Sequence, residues 1–428
     1  MEETNMARWN TIARGSALAA VAALALAACA SSDDPDTSGS PAPGGDGAAL
    51  KVGSLLPVTG SLAYLGPPEI AGVDLAIKEI NDAGGVLGQP VEAVHTDSSD
   101  ADNPTVASAS VDKLISDGVG AIIGAASSTV SLNVVDTIAA ASIVQISPAN
   151  TSTALSGYSP FYFRVAPPDT IQGDVMAKLL LADGKKNISI LVFNDDYGTS
   201  LRDVVQATVE PGGATVAYGK AGEEFDPKET DFDTIVSNAL APNPDAVLVI
   251  AFDQTKGIVP KLVAAGYPAA NIYMVDGNTA DYSKDFDPGT LEGAKGTIPG
   301  AYPAQDFQDR LNSVAPEPLT SFAYGPESYD STILVALAAQ KGGATDGTTI
   351  QANLAAVSGA TDGEECDTFA DCVALIDDGK EITYKPVAGS GAFNADNDPT
   401  SAFIGIYVYD ANNVPQWTDA VEGENPDN

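Results

Sequence analysis

From residue 50 onward, short apolar runs alternate with amphipathic helical stretches, and this alternation restricts the possible folds more than any other feature. Strand-like runs are expected at Leu50–Pro57, Val91–Thr96, Val119–Gly124 and Ile143–Ser147, with helices between them at Glu69–Ala83, Thr105–Asp117 and Ser128–Ala141. In the first helix Ile70, Val73, Ile77 and Ile80 share one face, Asp74, Lys78 and Asp82 the other, and Gly84–Gly85 ends it. Strands separated by helices return in the same direction, which makes βαβ units and a parallel sheet. After Arg164 the alternation restarts. Strands are expected at Ile188–Phe193, Ala214–Tyr218, Ala246–Phe252 and Ile272–Val275, and helices at Asp169–Ala182, Thr199–Val209, Asp231–Leu240 and Gly257–Ala265. Segment 294–300 then leads into helices near 304–314, 327–340 and 348–357, followed by a β-rich tail. The reading is α/β: two doubly wound parallel-sheet lobes that hinge about a cleft.

The N-terminus bears on location. Arg8 and Arg14 precede an apolar run, Ala17–Ala28, which is too short to span a bilayer but suits the core of a signal peptide. The run ends Leu26-Ala27-Ala28-Cys29, which resembles a lipobox with Cys29 as the acylated residue. Glu2 and Glu3 interrupt the basic start, and initiation at Met6 would remove them. Residues 1–29 therefore read as a lipoprotein signal peptide, and the Ser/Asp/Pro/Gly-rich residues 30–49 as a flexible tether to the membrane. With Cys29 lipidated, Cys366 and Cys372 remain, six residues apart in an exported chain, and are expected to form a disulfide.

Charge and motif content narrow the function. Twenty Lys+Arg against 58 Asp+Glu give a net charge of −38, which disfavours nucleic acid and anionic membrane surfaces as partners. His95, the single histidine, sits in a strand-like run with no motif around it and reads as structural. There is no GxSxG elbow, HExxH, P-loop or GxGxxG after the first strand, so no enzyme, cofactor or metal site is expected.

Several stretches, in order, carry a resemblance: VGSLLPVTGSLAYLG from Val52 to Gly66, AGVDLA from Ala71, INDAGGVLG from Ile80, IGAASS from Ile123, ISPANT from Ile146 and NDDYG from Asn194. Together they resemble the branched-chain amino-acid-binding proteins of hydrophobic amino acid ABC importers, over about residues 50–410. The resemblance implies the type I periplasmic-binding fold, with three chain crossings near 167–169, 299–301 and 402–405. Residues 50–168 plus 300–402 would then form lobe 1, and 169–299 plus 403–428 lobe 2. It also implies an extracytoplasmic protein that captures a small amino-acid-like ligand and hands it to an ABC permease.

Ligands of parallel sheets bind beyond the carboxyl ends of the strands, where loops enter helices. Ser127-Ser128-Thr129 is such a junction, with hydroxyls and a helix N-terminus suited to a carboxylate. The resemblance gives this role to Ser128, with the Ala149 backbone and Thr151; plain helix capping is the other reading of Ser128 and Thr151. Asp276, in Tyr273–Gly277, matches the acidic position expected to hold a ligand ammonium, and its other reading is a turn before Gly277. Tyr197 and Phe252 match aromatic cleft positions in lobe 2, and Leu65 and Tyr324 match positions in lobe 1, with Tyr64 an alternative to Leu65. An amide, urea or short-peptide importer, or a sensor working through a partner, remain open alternatives.

Overall fold

The computed structural model describes residues 48–426. The expected signal peptide, Cys29 and all but the last two residues of the tether lie outside the described residues. In the first lobe, strands β1 (Lys51–Leu56), β2 (Glu92–Asp97), β3 (Ala121–Gly124), β4 (Val144–Ser147) and β5 (Tyr162–Arg164) alternate with helices α1 (Gly66–Asp82), α2 (Pro104–Asp117) and α3 (Ser128–Ala140). The strands form one parallel sheet in the order β2-β1-β3-β4-β5. Its central strands β1, β3 and β4 are buried almost throughout, as a sheet covered on both faces requires.

The second lobe repeats the plan with α4 (Asp169–Ala182), β6 (Asn187–Val192), α5 (Asp196–Val209), β7 (Thr215–Tyr218), α6 (Asp233–Leu240), β8 (Ala246–Ile250), α7 (Thr255–Ala264), β9 (Ile272–Met274) and β10 (Lys295–Pro299). The chain then returns to the first lobe as α8 (Gln305–Val314), α9 (Gly325–Gly342), α10 (Gly347–Ala355), β11 (Glu364–Cys366), α11 (Phe369–Asp377) and β12 (Ile382–Tyr384). It finishes with β13 (Ser401–Tyr409) and β14 (Pro415–Glu424) in the second sheet, whose order is β14-β13-β10-β9-β8-β6-β7.

Five parallel strands of this sheet, β7-β6-β8-β9-β10, reproduce the order of the first lobe, so both lobes switch direction at the equivalent place: between β1 and β3, and between β6 and β8. The sheet is mixed rather than purely parallel, because β13 runs antiparallel to β10 and β14 antiparallel to β13. Two further departures from expectation are local. The three-residue β5 carries too short a pattern to be read, and α5 begins at Asp196 because the Asp195 side chain caps it through Tyr197 N at 2.9 Å. The tail is not all β: it includes α11, and a disulfide joins Cys366 at the end of β11 to Cys372 within that helix.

The strands between the lobes are bonded to one another. Gly300 N donates to Phe403 O at 2.7 Å, and Ser390 Oγ to Val165 O at 2.9 Å. Arg164 lies fully buried at the end of β5, with Nε and Nη2 on the two oxygens of Asp398 at 2.5 and 2.9 Å. Asp398 thus still belongs with the first lobe, whereas Ser401 already opens β13 in the second sheet. Above this hinge α1 and α9 pack unusually close, since a Cβ on Gly72 would lie 2.3 Å from Gly325 O.

Candidate functional site

The two switch points face each other across the cleft. In the first lobe β1 leads into the loop ending at Leu65, and β3 leads through Ala126 and Ser127 into α3. In the second, β6 leads to Tyr197, β8 to Phe252 and β9 to Asp276. Between them is a cavity of about 20 Å³ that Leu65, Ser128, Ala149, Thr151, Tyr197, Phe252, Asp276 and Tyr324 all line. The structure therefore brings all eight expected residues to one place. Ser127 of the expected junction completes the wall with Leu62, Ala126, Asn150 and Gly277, four residues with no role assigned from sequence.

Ser128 is not the helix cap. Ser127 caps α3, accepting from Val130 N at 3.3 Å. The Ser128 hydroxyl instead accepts from Thr151 N at 3.3 Å and Ser152 N at 3.2 Å, which ties the two strand-to-helix loops together. With both lone pairs engaged, its proton remains available to donate, beside the first N–H groups of α3. Thr151 is no cap either: Ser152 caps the short turn that follows, and Thr151 Oγ1 is buried without a hydrogen-bond partner.

Asp276 is a buried carboxylate rather than an exposed turn residue. Tyr197 Oη donates to its Oδ1 at 2.6 Å, Gln172 Nε2 to the same oxygen at 2.9 Å, and Tyr324 Oη to Oδ2 at 2.6 Å. Burial pushes its pKa up, and the bonds from Tyr197, Tyr324 and Gln172 oppose that rise by solvating the charge. Tyr64 Oη reaches the backbone carbonyl of Asp276 at 3.0 Å, so Tyr64 braces the site through its hydroxyl while Leu65 lines the cavity. Tyr197 and Phe252 stack at 5.6 Å and 9°, and they lie so close over Gly277 that a Cβ there would meet both rings within 3.1 Å.

The lobes meet directly across the cleft. Besides Tyr324 and Tyr64, Thr129 Oγ1 lies 2.9 Å from Asp195 Oδ2 and 2.7 Å from Asp196 Oδ2, and Thr153 N donates to Ser200 Oγ at 3.0 Å. A second cavity, about 240 Å³, opens at the mouth and shares Leu62, Ser127 and Phe252 with the inner one. His95 is remote from both, held between Ser54 Oγ at 2.8 Å and Asp74 Oδ1 at 3.0 Å. Among the described residues no cluster of three or more His, Cys, Asp or Glu is arranged to hold a metal, and no helix is long and apolar enough to cross a membrane.

The model of the family described as "Periplasmic binding protein" matches residues 49–371. The chain belongs to that family. Its members bind solutes and are not enzymes. Among curated relatives, a Leu/Ile/Val-binding protein of Rhizobium johnstonii is 25% identical over 374 residues, covering 86% of this chain and 93% of that one. The chemotactic signal transduction system substrate-binding protein BasB of Halobacterium salinarum is 28% identical over 405 residues, covering 87% and 88%. The solved leucine-binding protein LivK of Thermotoga maritima superposes with a TM-score of 0.72 at 19% identity, covering 89% of this chain and 99% of that one. A solute-binding protein from R. palustris in complex with 4-hydroxybenzoate gives 0.70 at 16% identity, covering 88% and 98%. The type I periplasmic-binding fold of this periplasmic binding protein is thereby shown.

Proposed function

We propose that this protein is an extracytoplasmic, lipid-anchored solute-binding component of an ABC importer, and that it captures an amino acid with a hydrophobic side chain between its lobes for delivery to a permease. One observation carries the reading: an unspent hydroxyl donor at a helix N-terminus, Ser128, and a buried carboxylate, Asp276, face the same cavity from opposite lobes. A zwitterion has complementary charges at its two ends and would bridge them, and only contacts that span both lobes let a ligand shift the equilibrium toward closure. The stacked Tyr197 and Phe252, with Leu62 and Leu65, offer an apolar surface for the side chain. The names of the curated relatives, Leu/Ile/Val-binding proteins among them, support the same solute class. An inner cavity of about 20 Å³ has room for about one water, so an amino acid must enter with the lobes apart.

A carboxylate-only solute, such as the aromatic acids bound by some structural neighbours, would bring a second negative charge to Asp276. A thermal-shift screen of hydrophobic amino acids, their amides and aromatic acids tests the reading. A ligand at one hundred times its dissociation constant adds about 2.7 kcal/mol. Shifts with branched-chain amino acids are expected, and shifts confined to amides or aromatic acids would overturn the assignment. The anchor is tested separately: Cys29→Ala should no longer incorporate a fatty-acid analogue or sediment with membranes.

A further inference from the structure

A cavity of about 110 Å³ lies at the second crossing, apart from the one assigned to the solute. Phe322 and Glu327 line it from the first lobe, Asp281 and Tyr407 from the second, and residues 299–302 of the crossing run between them. Tyr324 is the single residue it shares with the inner cavity, and that hydroxyl is already bonded to Asp276. Glu327, in the first turn of α9, is 1% exposed, and its Oε2 has no hydrogen-bond partner. Its Oε1 lies against Gly300, where a Cβ would sit 2.0 Å away, so any larger residue at this point of the crossing would crowd the carboxylate. Glu69, in the first turn of α1, is fully buried with both carboxylate oxygens unpartnered. The close approach of α1 to α9 at Gly72, where a Cβ would meet Ser328 Cβ at 2.9 Å, brings these two first turns together. Burial pushes both carboxyls well above the usual range; Glu327 raises Glu69 further and Asp330 raises Glu327, whose own N–H opposes the rise.

Buried carboxylates without donors are costly, and a cation beside them removes that cost. The protein supplies none at this place: among the described residues lining the cavity there is no Lys, Arg or His. The helix dipoles at both first turns favour the ionised form of the two acids. The cavity has room for several water-sized groups, which suits a cation of a few heavy atoms. Its walls are aromatic, with Tyr302, Phe322 and Tyr407 among them, and Tyr407 is near enough for the Glu327 charge to raise its hydroxyl pKa. Aromatic walls attract organic cations, whereas a hard metal ion needs a fuller set of oxygen ligands than two carboxylates. We propose that this hinge cavity is a second binding site, for a small organic ammonium ion, with Glu327 as its counter-ion and Tyr302 and Tyr407 as aromatic walls. It is separate from the inner cavity and does not depend on which solute that cavity takes.

The test is calorimetry with tetramethylammonium chloride, set against sodium chloride at the same ionic strength, on the parent protein and three variants. The parent should bind the organic cation saturably and show no saturable heat with sodium. Glu327→Gln keeps the shape of the side chain and removes its charge, and should weaken binding about a hundredfold or more. Tyr407→Leu should weaken it about tenfold. That variant leaves both buried carboxylates in place and so decides the matter if Glu327→Gln folds poorly. Asp276→Ala should bind the cation as the parent does. A parent that fails to bind tetramethylammonium, or binds sodium equally well, overturns the proposal, as does a folded Glu327→Gln or Tyr407→Leu with unchanged affinity. Loss of binding in Asp276→Ala with Glu327→Gln unaffected would place the cation in the inner cavity and overturn it too.

Discussion

Tyr324 donates its hydroxyl to Asp276 Oδ2 at 2.6 Å, joining the start of α9 in one lobe to the end of β9 in the other. The same tyrosine holds a left-handed backbone, φ 59°, at the N-cap of α9, a conformation that costs a bulky residue of order 1–3 kcal/mol. Removing the hydroxyl while keeping the ring isolates the bridge. Hydrogen bonds to charged groups are worth about 1.5–3 kcal/mol, so Tyr324→Phe should weaken ligand affinity by about ten- to a hundredfold with little change in melting temperature. Calorimetry beside a thermal melt measures both, and an unchanged affinity would place the bond outside the closure equilibrium.

The two ends of the proposed zwitterion predict an order of effects. Asp276→Ala removes the buried partner of a charged group and leaves Tyr197, Tyr324 and Gln172 without an acceptor. The loss should be about 3–5 kcal/mol, or roughly a hundredfold to several-thousandfold in affinity. Ser128→Ala removes one hydroxyl but keeps the α3 N-terminus, so about 1–3 kcal/mol is expected. Affinities in the reverse order would move the carboxylate to the other lobe.

Part of this site was legible before the structure because some contributing residues directly follow a strand. Ser128 and Asp276 stand just beyond β3 and β9, places that apolar runs mark in the sequence alone, whereas Tyr197, Phe252, Leu65 and Tyr324 were expected from the family resemblance. Gln172, which donates to Asp276, was missed because it lies within α4, where the periodicity reads as an ordinary amphipathic helix. A signal did exist: Asp169 and Gln172 recur at a spacing of three, in line with the buried Met176. The antiparallel pairing of β13 with β10 was out of reach for a different reason. It depends on contacts between residues about a hundred positions apart in sequence, such as Ile404 with Pro299, and no local pattern records these.

The Arg164–Asp398 pair predicts how the hinge responds to substitution. Both side chains are at most 2% exposed, and Arg164 also bonds Ser152 O at 2.9 Å and Ser156 Oγ at 2.7 Å. Removing one partner leaves an uncompensated buried charge, so Asp398→Ala should destabilise folding by about 3–5 kcal/mol, and Arg164→Ala similarly. Urea unfolding of each variant and the double variant checks this. The double variant should be less unstable than the sum of the two, because the pair is lost only once.

Trp417 offers a built-in reporter of lobe movement. It stacks on Tyr302 at 5.6 Å and 25°, with Tyr302 just after the second crossing and Trp417 on β14 of the second lobe. The only other tryptophan is Trp9, so a Trp9→Phe protein carries one indole. Its emission should shift when ligand closes the cleft, and Tyr302→Ala should abolish that change while leaving the affinity intact. A ligand-saturated protein with an unaltered spectrum would show that the stack moves as a rigid unit.

Burial of Asp169 predicts a pH dependence of stability, and its sign follows from the direction of the shift. A carboxyl whose pKa rises from the ordinary carboxylate range to about 7 on folding binds its proton more tightly in the folded chain than in the unfolded one. Its share of stability is therefore full below pH about 4 and is lost as pH rises toward 7. Asp330, held at about 6 by burial, contributes with the same sign, as do Glu69 and Glu327, both pushed up by burial. Asp169 is isolated by the difference between parent and Asp169→Asn. The variant should be the more stable of the two at pH 8, by a few kcal/mol at most, and the gap should shrink as pH falls to 5. Chemical denaturation midpoints measured across that range decide it: a gap independent of pH would mean that Asp169 keeps an ordinary carboxylate pKa in the folded protein.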